Sequence, residues 1–290
     1  MSDFIQQKGI ITEFITNESW VILSPIEQSI KRKIEAVGIP LKDWDISINY
    51  GIKTGFNDAF IINGAKRDEI LSACKTENER NKTAELIRPI LRGRDIKRYS
   101  YEYADLYLIA TFPSRHYDIE DFPSVKNHLL SFGMERLEQT GKKYNKNGKK
   151  IKARKKTNNK WFETQDSISY WDEFNKPRII YCEIGIEMDA CLVESGYFIN
   201  NKLYMISGEN LPYLLLFLNS KIFNKIILQT ANLTGGKGVD FMNKIHLIKP
   251  TRLQIEKAEK ILYADIHQQE DFINSLYNFT EKELRYINSL

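Results

Sequence analysis

Three short runs rich in β-branched and aromatic residues follow one another with room only for tight turns. They are "PRIIYCEI" (177–184), "ACLVES" (190–195) and "GYFINNKLYMIS" (196–207). Strands joined so closely pair antiparallel, because a parallel partner needs a crossover of a dozen or more residues. Further strands are expected at "DISINYGI" (45–52), "AFIIN" (59–63) and "DLYLIATF" (105–112). Helices are expected on both sides of this strand-rich middle. Residues 13–39 read as helical, with Ser24 as N-cap, Pro25 at the first helical position, Glu27 three after the cap, and Ile26, Ile30, Ile34 and Val37 on one stripe that stops at Gly38. Residues 66–90 read as a helix and then a turn into "LIRPILRGRDIKRY", and 121–139 as a helix starting near Pro123. "LPYLLLFLNSKIFNKIIL" (211–228) reads as one helix, "LTGGKGVDF" (233–241) as a glycine-rich loop, and 254–266 as a helix with Ile255, Ala258, Leu262 and Ile266 on one face. "TEKE" (280–283) is a capping box that opens a last short helix. The pattern predicts an α+β fold with a mixed, mainly antiparallel β core and flanking N- and C-terminal helices.

The chain has 290 residues, 42% hydrophobic and 12% aromatic, enough for a sizeable core. Its first ten residues are too polar for a secretory signal. The apolar run "LPYLLLFL" (211–218) is far too short for a membrane span. Cys74, Cys182 and Cys191 make neither a CxxC pair nor an even set, which suits free thiols in a reducing cytoplasm. Net charge is only +4, but it is unevenly spread. From Lys142 to Lys160 there are ten Lys or Arg and no acid, so without these ten cations the chain stands at −6. A single basic stretch on an acidic body steers a polyanion to one face.

Catalytic motifs are missing. In "INYGIKTGFNDAFII" (48–62) Lys53-Thr54 follows Gly51 by two residues, whereas a P-loop needs four before its Gly-Lys-Ser/Thr. No Ser or Thr follows Gly236-Lys237. His116, His128, His246 and His267 are dispersed, and neither HExxH nor a DxDxDG loop occurs. There is no GxSxG and no Asn-Pro-Pro-Tyr, and no methyl-donor loop is read at the glycines. "DIK" (95–97) is the one triplet suited to a paired-carboxylate nuclease, and chance readily produces it in a chain this charged.

Nucleic-acid binding fits the remaining features. The basic stretch carries Lys142, Lys143, Lys146, Lys149, Lys150, Lys152, Arg154, Lys155, Lys156 and Lys160, interleaved with Tyr144 and closed by Trp161. Read as a loop, it offers charge to phosphates and a flat ring for stacking. Arg92, Arg94, Lys97 and Arg98 fall within seven residues, and arginines on a turn can make bidentate contacts to guanine. The competing reading is a solvated loop, with the arginines paired to Glu85, Asp95 and Glu102.

Several stretches, in order, resemble the C-terminal specificity region of TaqI-like adenine-specific DNA methyltransferases and type IIG restriction–modification enzymes. They are "PLKDWDISINYGIKTGFNDAFII" (40–62), "LIRPILRGRDIKRY" (86–99), "KWFETQDSISYWDEFNKPRIIYCEI" (160–184), the Leu-Asn-Ser-Lys helix in 211–228, and the tail "INSLYNFTEKELRYI" (273–287). The resemblance covers roughly residues 15–290. It implies a target-recognition domain at 41–250, a linker and helix at 1–40, and a helical tail at 251–290. The expected partners are double-stranded DNA and a catalytic methyltransferase domain or subunit, docked through the terminal helices, with no membrane. No cofactor is expected in this chain; S-adenosylmethionine, with or without magnesium, belongs to the missing catalytic part. The expected DNA contacts are Lys53, Thr54 and Asn57 on the glycine-bounded turn, Arg92, Arg94, Lys97 and Arg98, the ten cations of 142–160, Arg178 and Lys237. The alternatives are a stand-alone metal-dependent nuclease and a protein-interaction scaffold.

Overall fold

A computed structural model describes residues 23–146, 148–228 and 236–290. The parts of the expected N-terminal helix at 13–22 and of the glycine-rich loop at 233–235 lie outside them. In chain order the main strands are β1 (Ile46–Tyr50), β2 (Ile61–Asn63), β3 (Ile87–Leu91), β4 (Leu106–Ile109), β5 (Lys143–Lys146), β6 (Lys149–Lys152), β7 (Arg178–Cys182), β8 (Ala190–Val193), β9 (Phe198–Ile199) and β10 (Leu203–Gly208). The longer helices are α1 (Pro25–Val37), α2 (Gly64–Ser72), α3 (Glu77–Leu86), α4 (Pro123–Leu130), α5 (Leu211–Leu218), α6 (Arg252–Ile261), α7 (Ile266–Ser275) and α8 (Glu281–Ser289).

Of these strands, β5 and β6 pair only with each other, and the other eight form two four-stranded sheets. The first, in order β8-β7-β10-β1, is wholly antiparallel. The second, in order β9-β3-β4-β2, is antiparallel except for the parallel pair β9–β3. The first sheet is covered on both faces. Along β7, Ile179 and Tyr181 face a core built with α1 and α5–α8, while Ile180 faces a core shared with the second sheet. This is why "RIIY" is buried without a break: a strand covered on both faces has no solvated side on which to place polar residues. Helix α5 is buried at Leu211 and at every residue from Tyr213 to Leu218, and it fills the helical core over β8.

Several expectations hold. The Ser24 hydroxyl accepts from the Glu27 N–H, Glu27 Oε2 accepts from the Ser24 N–H at 2.6 Å, and the helix ends at Gly38. Thr280 and Glu283 form the second expected box, at the start of α8. Others need correction. "AFIIN" begins as a helical turn, Asn57–Phe60, and becomes strand only at Ile61. The helix expected over 66–90 is two helices, because the Thr76 side chain caps a new one at Glu79, and Ile87–Leu91 is a strand. Pro89 is tolerated there because pairing passes from β4 to β9 just after it. The helix expected over 121–139 breaks at Gly133, whose φ of +86° L side chains rarely adopt. The helix expected over 211–228 is interrupted after Leu218 and resumes at Lys221, with wider turns over Phe223–Ile227. At the interruption the Asn219 amide turns aside and bonds both the N–H (3.2 Å) and the C=O (3.0 Å) of Ala190, acting as a partner for the edge of β8. Ile266 does not continue the stripe of α6; it starts α7, a helix the periodicity did not reveal.

Candidate nucleic-acid interface

The register of the first sheet decides where the candidate residues meet. Tyr204 pairs with Tyr50, and Leu203 with Cys182, so β1 and β7 end where β10 begins. The segments after β1, between β7 and β8, and before β10 therefore emerge at one rim. The backbone then continues in parallel: Ile52 bridges Asn200, and Phe198 and Ile199 pair with Ile90 and Leu91. Lys53 and Arg92 leave the sheets side by side in the same direction. Gly51 makes this possible, since a Cβ there would lie 1.9 Å from the Asn200 carbonyl oxygen.

The turn at 53–57 is neither a phosphate loop nor a metal loop. The buried Thr54 hydroxyl donates to Asn57 Oδ1 at 2.7 Å and accepts from the Phe56 N–H at 3.1 Å, and Gly55 takes φ +76°. These bonds hold Lys53 and Asn57 at the surface. Lys53 lies 3.8 Å from Asp166 and 5.2 Å from the centre of the Tyr50 ring.

The basic stretch is not a loose loop. It is a β-hairpin, β5–β6, paired from Lys143↔Lys152 to Lys146↔Lys149, with Gly148 at φ +76° in its turn. The side chains of Lys146 and Lys149 lie outside the described residues. Lys142, Lys143, Lys150, Lys152, Lys155, Lys156 and Lys160 are exposed. Such a density of lysine hides strand periodicity, and hairpin pairing leaves the side chains free to carry charge.

Arg154 is the exception within this stretch. It is 2% exposed, and its guanidinium donates to the carbonyls of Leu137 (2.8 Å), Thr54 (3.0 Å), Glu163 (2.7 Å) and Trp161. Burial lowers its pKa to about 10, against a small opposing pull from Glu163, so it stays charged at neutral pH. It pins the hairpin base to the Lys53 turn. Gln139 supports the same region, donating to the carbonyls of Lys160 and Glu163 and accepting from Thr157.

At the rim beyond Arg92, the Asp95 carboxylate accepts three bonds from Arg92: its N–H at 2.7 Å, Nε at 3.0 Å and Nη2 at 2.8 Å. That carboxylate is buried and engaged, as the alternative reading of the arginine cluster has it, and Arg92 is half-buried. Arg94, Lys97 and Arg98 are exposed, with Arg98 3.6 Å from Glu270. Among the described residues no group of three His, Cys, Asp or Glu side chains is placed to hold a metal ion.

Four candidates are buried inside the fold and have no surface to offer DNA. Arg154 is one. Arg178 begins β7, at the end of the sheet opposite the rim, and donates to the carbonyls of Phe174, Lys176, Glu194 and Tyr197. Lys237 is 3% exposed and donates to the carbonyls of Gly185 (3.1 Å) and Glu187 (2.9 Å); burial lowers its pKa. Thr54 likewise acts inside its turn. Sequence spacing did not mark two cations that the fold brings in. Arg136 stacks over Phe56 at 4.3 Å and donates to the Lys152 carbonyl. Lys202 is exposed beside Gly93, in the "NNK" turn between β9 and β10.

A family model described as the TaqI-like C-terminal specificity domain matches residues 88–247. No curated protein matches the chain. Among solved structures, that of the type IIG restriction endonuclease BpuSI is similar with a TM-score of 0.55 at 11% identity, over 92% of this chain and 32% of that one. The type IIL restriction-modification enzyme MmeI, in complex with DNA, gives a TM-score of 0.48 at 11% identity, over 87% of this chain and 36% of that one. At such identity the likeness to BpuSI is one of fold. This chain spans about a third of the length of either enzyme.

Proposed function

This chain belongs to the family of TaqI-like C-terminal specificity domains, whose model covers more than half of it, and we propose that it reads a specific sequence in double-stranded DNA for an adenine-specific methyltransferase of the type IIG restriction–modification kind. The observation that carries this reading is the Arg154 brace, which fastens a lysine-rich hairpin to the Lys53 turn at the rim where Arg94, Lys97 and Lys202 also emerge.

In this reading the two kinds of cation divide the work. The exposed hairpin lysines are mobile point charges that neutralise phosphates and set position. Lys53, Asn57 and Arg94 sit on short turns with fixed backbones, which suits reading base edges. The target-recognition part is 41–250; the helices of 1–40 and 251–290 dock a catalytic domain or subunit that supplies S-adenosylmethionine chemistry. No helix among the described residues is long and apolar enough to cross a membrane. A cytoplasmic location goes with the proposed DNA partner.

Selection from a randomised duplex pool at moderate salt tests this. The expected result is an enriched short motif whose affinity falls steeply as salt rises. Equal affinity for every duplex would overturn sequence reading by this chain.

A further inference from the structure

The segment joining β7 to β8 ends in an apolar tip. Ile184 and Ile186 are 67% and 85% exposed, on either side of Gly185. The tip is held from beneath. The buried Lys237 ammonium donates to the carbonyls of Gly185 and Glu187, and the Lys237 N–H donates to the Glu183 carbonyl at 2.9 Å. A Cβ on Gly185 would come 3.3 Å from that ammonium, so glycine leaves room for the tether. A buried lysine spent on holding two isoleucines out in water is costly unless the isoleucines have a partner.

The surroundings say what kind of partner. The Glu183 N–H donates to the Lys202 carbonyl at 3.0 Å, and the Cys182 thiol beside the tip donates to the Gly93 carbonyl at 3.3 Å. Lys202, Arg94 and Lys97 thus share the rim with the tip. Two of the flanking acids are turned to other work, Glu187 pairing with Lys225 at 2.7 Å and Glu183 bonding the Tyr204 hydroxyl, while Asp189 is exposed and acts on the Cys182 thiol and the Lys237 ammonium. An apolar pair beside the cations Lys202, Arg94 and Lys97 matches a polyanion that carries apolar groups in a groove. In duplex DNA the thymine C5-methyl is that group, and it lies in the major groove.

We propose that Ile184 and Ile186 enter the major groove and contact a thymine methyl, so that the β7–β8 tip contributes to sequence choice. This rests on the DNA-reading function proposed above.

The test replaces each thymine of the selected duplex in turn by uracil, which removes only the methyl. At one position or more, affinity should fall about fourfold, the effect of burying one methyl-sized group. In Ile184→Ser/Ile186→Ser the same replacement should make no difference, with the salt dependence unchanged. Both residues are exposed, so the variant keeps its fold. Selective binding that is indifferent to every thymine methyl, a motif without thymine, or a variant that keeps the wild-type sensitivity would overturn this inference alone; the first of these would leave the tip to a protein partner. Failure to select any duplex would overturn the proposed function and this inference with it.

Discussion

The guanidinium of Arg154 donates to the carbonyl oxygen of Thr54 at 3.0 Å, across 100 residues of chain. One buried cation, making four bonds to four separate carbonyls, fixes how the basic hairpin sits against the Lys53 turn.

Removing that cation should loosen both elements. Arg154→Met takes a donor from four carbonyls, three of them in buried bonds, and should cost about 3 kcal/mol in denaturant unfolding. Arg154→Lys should recover only part, because an ammonium cannot span all four acceptors. An unchanged unfolding midpoint for Arg154→Met would show that the brace contributes nothing.

The hairpin lysines should act on binding and leave folding alone. Changing Lys142, Lys143, Lys150 and Lys152 to Gln should leave thermal stability within about 0.5 kcal/mol, since all four are exposed. The dependence of log affinity on log salt should become shallower by about 0.9 for each phosphate that the variant no longer neutralises. A salt slope identical to wild type would remove the hairpin from the interface.

Arg92 and Arg94 should separate cleanly. Arg92 engages a carboxylate whose side chain is only 4% exposed, so Arg92→Met strands a buried charge and should cost about 3 kcal/mol. Arg94 is exposed, and Arg94→Met should change stability by less than about 0.5 kcal/mol while weakening DNA binding. Paired unfolding and binding measurements on the two variants read both effects.

Acid should release the C-terminal helix. Burial alone would raise the pKa of Glu283. The Lys33 ammonium (2.7 Å), the Thr280 N–H (2.6 Å) and the Ser29 hydroxyl (2.7 Å) outweigh that and hold it at about 2, below the ordinary 4.5. The folded chain thus favours the ionised carboxylate. Its stabilising contribution is complete above about pH 4.5 and is lost as pH falls towards 2. Glu283→Gln should cost about 1 kcal/mol at pH 7, as the loss of a cap does, and should flatten the acid limb of the stability–pH curve.

What the sequence by itself determined is what neighbouring residues can enforce. The caps at Ser24 and Thr280 and the β-branched runs of β7, β8 and β10 are local signals, each contained in a few residues. The family resemblance was legible for a related reason: its motifs are short and keep their order along the chain, and the match over 88–247 bears it out. Only the tertiary structure decided which cations face outward. Arg94 and Arg154 look alike in sequence, yet one is exposed and the other is buried against carbonyls from three other segments, one of them 100 residues away. The rim itself arises where Ile52, Asn200 and Leu91 are brought side by side by sheet register, a long-range pairing that no short window contains. In sequence the Ile184–Ile186 tip is simply strand and turn, because exposure depends on what fails to cover a residue, and that is a property of the whole fold.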